Sequence, residues 1–248
     1  MAYTDSRIDS FAQAEFRIGR VLSKSISVFF QNIVTFTLIS AVVSLPFIII
    51  STLQEGSTQE DQAIRALVGF GVLLFLSPLA TAVILHATFQ HMRGRPVRLG
   101  ESVSQALGRF LPLLGVMVLQ TLGISLGFLL LIIPGFILLT MWYAAVPVCI
   151  AERAGPIRSL GRSRELTKGY RWRIVGLMFL LGIMGGIGSA VFVLLGTALA
   201  QEWGAIAAQT LWQGLSGGFG SVAVAVAYYY LRVAKEGVDV DQIAAVFD

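Results

Sequence analysis

The chain has 248 residues, 56% of them hydrophobic and only 13% charged, with a mean hydropathy of +0.78. A soluble domain carries about a quarter charged residues, so there is too little charge here to coat a water-facing surface, and most of the outer surface is expected to face lipid. The excess of 18 Lys and Arg over 14 Asp and Glu does not point to nucleic acid, because the basic residues sit in short segments between apolar runs and no recognition motif accompanies them. Retention of those segments on the cytoplasmic side is the simpler cause.

Residues 1–27 contain Asp5, Asp9, Glu15, Arg17, Arg20 and Lys24 without an early apolar core. They do not read as a secretory signal peptide, and the first span reads as a retained anchor. Phe11, Ala14, Ile18, Leu22 and Phe29 lie near one helical stripe, which predicts an amphipathic helix in this cytoplasmic segment. Uncharged or nearly uncharged runs then predict spans over 28–53 and 66–90, each long enough for a hydrocarbon core of about 30 Å. Before the third span, Leu99, Val103, Ala106 and Phe110 form another stripe.

The run 110–151 has no charge. As one helix it would extend about 60 Å, roughly twice a bilayer core, so it must fold back. Ile133-Pro134-Gly135 is the expected breaker, giving spans 110–132 and 134–151. Pro96 and Pro156 stand where a first-turn proline is favoured, opening short helices before the third and fifth spans. The fifth and sixth spans are expected over 174–200 and 203–231, with Glu202 the only charge between Arg173 and Arg232. The membrane domain then covers 28–233, and 234–248 form a cytoplasmic tail. The short helices either lie at the interface with Arg and Lys toward headgroups or pack beneath the bundle.

All 18 basic residues except Arg65 fall on one side of this arrangement, with Glu55, Glu60, Asp61 and Glu202 opposite. The positive-inside rule makes the basic side cytoplasmic. The expectation is an all-α, multi-pass protein of the bacterial inner membrane, with six spans and both ends in the cytoplasm. The chain also resembles itself. Arg17-Ile18-Gly19 with Ser23, Ile26 and Phe29 matches Arg98-Leu99-Gly100 with Ser104, Leu107 and Phe110, while Gly94, Leu99, Gly100, Ser102, Gly108 and Gly115 match Gly155, Leu160, Gly161, Ser163, Gly169 and Gly176. The unit would be a cytoplasmic helix plus a transmembrane hairpin, present three times in parallel. Shared glycine bias is the alternative source of these matches.

No ionisable acid or base lies well inside a span, which argues against a side-chain proton relay. His86 and His91 are spaced by five and share no helix face, unlike metal ligands at i and i+4. The lone Cys149 permits no intrachain disulfide and has no second thiol for a metal site. There is no P-loop, no nucleophile elbow and no carboxylate pair, so neither a cofactor nor a metal is expected. Gly123 with Gly127, Gly182 with Gly186, and Gly214 with Gly218 keep the spacing that lets helix backbones approach. Gln209 and Gln213 share a face, either for interhelical hydrogen bonds or as an intramembrane substrate face. Arg158, Arg162, Arg164, Lys168, Arg171 and Arg173 are candidate contacts for anionic lipid headgroups, or simply hold their loop inside.

The same stretch carries a likeness. Gly135-Phe136-Ile137, Trp142, Pro147, Glu152, Gly155, Pro156, Ser163, Leu166-Thr167-Lys168-Gly169 and Trp172-Arg173, with the ending Tyr229-Tyr230-Leu231-Arg232-Val233-Ala234-Lys235-Glu236-Gly237, resemble the membrane domain attached to some bacterial glycerophosphodiester phosphodiesterases. Related stand-alone six-helix proteins share the pattern, which is clearest from Arg98 to Gly237. The resemblance implies a multi-pass inner-membrane protein and transfers no activity, because spans and short loops leave no room for the phosphodiesterase barrel with its catalytic His, Glu and Asp groups. The leading expectation is a non-enzymatic membrane module that scaffolds partners or interacts with lipid, its partners being lipids, anionic ones included, another membrane protein or a second copy. A transporter or flippase-like protein for a lipid or small apolar solute is the alternative, and an intramembrane enzyme comes third.

Overall fold

The computed structural model describes residues 16–52, 59–92, 94–96 and 98–236. Phe11, Ala14, Glu55, Arg93 and the tail beyond Glu236 lie outside them. The described residues form helices and connecting turns, with no strand among them. In chain order the helices are α1 (Ile18–Gln31), α2 (Ile33–Thr52), α3 (Gln59–Met92), α4 (Leu99–Gly108), α5 (Phe110–Leu130), α6 (Ile132–Met141), α7 (Ala145–Ala151), α8 (Pro156–Thr167) and α9 (Arg171–Glu236).

Among the described residues, Phe110–Leu130, Ile132–Ala151 and Arg171–Leu199 are each long and apolar enough to cross a membrane, and the bent pair Ile18–Gln31 and Ile33–Val43 would make a fourth if the two helices were one span. That pair turns through 89°. The bend falls at Asn32, whose side chain donates to the carbonyl of Val28 (3.3 Å), so Val28–Gln31 belong to the amphipathic helix rather than to the span expected from residue 28. On α1, Val21, Ser25, Val28 and Phe29 are buried at helical spacing, while Ile26 and Phe30 stay exposed. On α4 the buried residues are Ser102 and Ala106. Leu99 and Val103 of the expected amphipathic stripe are exposed, and so is Leu107.

The hairpin of the third and fourth spans forms, but its turn is not at Ile133-Pro134-Gly135. The helix ends at Leu131, in an extended conformation, and Pro134 lies in the first turn of α6. The reason is that a first-turn proline sacrifices no intrahelical hydrogen bond. Gly135 instead lets the two arms approach, since a Cβ on Gly127 would lie 3.0 Å from the Gly135 Cα. The returning arm breaks again at Trp142–Ala144. Side chains satisfy the exposed backbone there: Ser163 Oγ (2.9 Å) and Thr167 Oγ1 (3.2 Å) donate to the Met141 carbonyl, the Ala144 N–H donates to Ser163 Oγ (3.1 Å), and Gln120 Nε2 donates to the Trp142 carbonyl (2.8 Å). Irregular backbone shielded from water requires such partners.

Helix α9 folds back on itself. Ser189 Oγ bonds Gln209 Oε1 at 3.3 Å and Trp212 Nε1 donates to the Gly185 carbonyl at 3.1 Å. Residues 20 apart on a straight helix would be separated by about 30 Å, so the run is an antiparallel hairpin bent near residue 200. Its second arm packs on α2, where Cβ atoms on Gly214 and Gly218 would meet Thr37 and Phe36 backbone oxygens at 3.1 and 3.0 Å. The core is concentrated in one part of the molecule, where Ala82–Leu85 of α3, α7, and Ala225–Tyr228 of α9 are buried together. The turn around Leu129–Ile133 and the far end of α9's first arm (Leu194, Leu195, Leu199) carry exposed apolar side chains.

Candidate functional site

Helix α8 ends at Lys168, and the chain turns through Gly169, whose φ of +91° is a left-handed conformation that glycine adopts without steric cost. This turn places Arg164, from the last turn of α8, beside Lys168 and Arg171, the first residue of α9. Together with Trp172 they line a surface concavity of about 370 Å³. Trp172 is 87% exposed, an unusual position for an indole in contact with water but an ordinary one at a membrane interface. Among the described residues no carboxylate pairs with Arg164, Lys168 or Arg171. The Arg171 Nε is buried and has no hydrogen-bond partner, although a buried donor ordinarily finds one. Three cations around one hollow suit a phosphate group, whose several oxygens accept from planar guanidinium forks and from an ammonium.

The six sequence candidates therefore divide. Arg164, Lys168 and Arg171 come together, while Arg158 is exposed and does not line the hollow. Arg173 turns inward, donating from Nη1 to the Phe16 carbonyl (2.7 Å) with its guanidinium 5.6 Å from the Tyr170 ring centroid. Lys235 approaches the same ring at 5.8 Å. Arg162 is the centre of an ion network: it pairs with Glu152 (3.1 Å), Glu165 (3.4 Å) and Glu236, while Glu236 also pairs with Arg232 (2.8 Å). Tyr228 donates its hydroxyl to Glu152 (3.2 Å). These contacts bind the ends of α7, α8 and α9.

Gln209 and Gln213 do not line the hollow. Gln209 bonds Ser189 across the α9 hairpin, and at Gln213 the backbone carbonyl accepts from Ser216 (3.4 Å). His86 Nδ1 bonds Ser102 Oγ at 2.9 Å, tying α3 to α4. His91 sits at the α1–α2 bend, with Nε2 2.7 Å from Gln31 Oε1 and Nδ1 3.1 Å from Asn32 Nδ2. Among the described residues no group of three or more His, Cys, Asp or Glu could hold a metal. Cys149 is buried, its Sγ 3.4 Å from the Ala154 carbonyl.

Trp172 at the hollow, and Glu152 and Glu236 in the ion network, are not among the candidates expected from the sequence. Trp172 could have been added, because an aromatic residue at the boundary between a basic segment and an apolar run marks an interfacial belt. The roles of Glu152 and Glu236 had no local signal, being 84 residues apart. No protein-family model, curated protein or solved structure matches this chain.

Proposed function

We propose that this protein is a non-enzymatic, six-span module of the bacterial inner membrane that binds anionic lipid headgroups on its cytoplasmic face. The observation that carries the reading is the hollow lined by Arg164, Lys168, Arg171 and Trp172. Each cation near a charged bilayer surface adds about 1 kcal/mol of attraction. The exposed apolar residues of the short helices, Leu99, Val103 and Leu107 on α4 and Ile157 on α8, support placing those helices in the interface.

In this reading α2, α3, α5, α6 with α7, and the two arms of α9 would be the six spans. Three parallel repeats are favoured by the element order, in which α1, α4 and α8 each precede a hairpin. Two contacts favour it further: Cβ atoms on Gly115 and Gly176 would lie 2.7 Å from Pro156 and 3.0 Å from Ile18, so each transmembrane glycine meets the start of another unit's short helix. The reading also keeps the likeness to the membrane domain of glycerophosphodiester phosphodiesterases, without their catalysis. A transporter would need an open polar face at Gln209, and the bond from Ser189 favours interhelical packing there instead.

The test is native mass spectrometry of the protein gently extracted from its own membrane. Retention of an anionic phospholipid by the wild type, lost in the R164Q/K168Q/R171Q variant and kept in R158Q, is the expected result. Equal retention by all three proteins would contradict the reading.

A further inference from the structure

The face of α9 that begins at Arg171 continues into a second concavity. Val175, Phe179 and Gly182 look across a groove of about 450 Å³ to Phe136, Leu139 and Thr140 of α6. Its lining is apolar, and the Thr140 hydroxyl is satisfied within its own helix, donating to Ile137 (2.9 Å) and Phe136 (3.1 Å) carbonyls. Arg171, Val175 and Gly182 fall within about 60° of one another around α9. The basic hollow and the apolar groove thus lie end to end along one helix face.

The dimensions match a lipid. From Arg171 to Gly182 the helix rises about 16 Å, close to one leaflet of a hydrocarbon core about 30 Å thick. Gly182 belongs to a pair spaced for close helix packing, yet a Cβ built there meets nothing within 4 Å. The space a neighbouring helix was expected to fill is open.

We infer that the two concavities are one site for a single anionic phospholipid, its phosphate among Arg164, Lys168 and Arg171 and one acyl chain along the α6–α9 groove. The inference rests on the headgroup reading above and adds to it the tail, and therefore the ligand class. A different groove of about 400 Å³ between α1 and the arms of α9, lined by Ile26, Phe30, Trp212 and Gly220 among others, has no cation in its lining. It serves as a control.

The experiment uses the full chain in mild detergent, with bound lipid counted by native mass spectrometry after addition of dioleoyl- or dihexanoyl-phosphatidylglycerol. Gly182→Leu fills the groove and is expected to lower dioleoyl retention at least tenfold while leaving the dihexanoyl lipid unaffected. Gly220→Leu fills the control groove and should retain as the wild type does. In the wild type itself the long-chain lipid should outlast the short-chain one, a comparison that needs no variant to fold. Unchanged dioleoyl retention in Gly182→Leu, with loss in R164Q/K168Q/R171Q, overturns the tail and keeps the headgroup reading. No loss in either variant overturns both. Displacement of the dioleoyl lipid by inorganic phosphate at equal concentration would mark a free-anion site and also overturn the inference.

Discussion

Arg162 and Glu236, carried by α8 and the end of α9, form an ion pair, and Glu152 meets the same guanidinium at 3.1 Å. The side chains of Arg162 and Glu152 are 28% and 20% exposed. Such a pair is worth more than a solvated surface bridge, whose typical value is about 0–1 kcal/mol, and leaves its carboxylates in need of a donor. Arg162→Gln is therefore expected to cost about 1.5–3 kcal/mol, the range for hydrogen bonds to charged groups. Arg164→Gln, two positions away in an open hollow, should stay within about 0.5 kcal/mol of wild type. Unfolding in detergent compares them, and equal losses would contradict the division of the cluster into structural and ligand-facing residues.

Two glycines in identical motifs are expected to behave oppositely. A methyl group at Gly123 would overlap the Trp142 indole, whereas at Gly182 it would meet open space. Gly123→Ala should destabilise by about 1–3 kcal/mol through overpacking. Gly182→Ala should be neutral or gain up to about 1 kcal/mol in helix propensity. Melting temperatures of both variants check this, and a loss at position 182 equal to that at 123 would remove the open groove from the account.

At the α1–α2 bend, burial and then the Lys24 charge hold the His91 imidazole below its usual range. Asn32 Nδ2 donates to Nδ1 and Nε2–H donates to Gln31, an arrangement that uses neutral imidazole. Because the folded-state value lies below the unfolded value of about 6.5, the unfolded chain binds more protons as pH falls. The stabilisation is fully present above about pH 6.5 and declines as pH falls through the depressed folded value. Stability measured from about pH 8 to about pH 5 should show this acid loss in wild type and a weaker one in His91→Gln. Identical profiles would remove His91 as the source.

The apolar runs are properties of single segments, so the all-helical fold and the helices apolar enough to cross a membrane could be read directly from the sequence. The turn at Leu131 could not, because Pro134 marks equally well the end of one helix or the first turn of the next. The bend at Asn32 sits inside an apolar run where hydropathy has no sense of direction. Arg162 and Arg164 differ only in whether Glu152 and Glu236 arrive from other helices, and Gly123 and Gly182 only in what faces them. Such distinctions belong to packing.

The proposed orientation makes Lys168 cytoplasmic and Leu131 external. In a Cys149→Ala background, Leu131→Cys should react with a membrane-impermeant maleimide in intact spheroplasts. Lys168→Cys should react only once the inner membrane is opened. The reverse pattern would invert the topology.

The most direct measurement is photocrosslinking of the wild-type protein in bilayers with a phosphatidylglycerol carrying a diazirine on its acyl chain, with adducts mapped by peptide sequencing. Adducts are expected to concentrate at Phe136, Val175 and Phe179 and to be strongly reduced in R164Q/K168Q/R171Q. Adducts spread evenly over exposed positions such as Leu129, Leu194 and Leu199, unchanged in that variant, would show an ordinary lipid annulus and contradict the proposed lipid site.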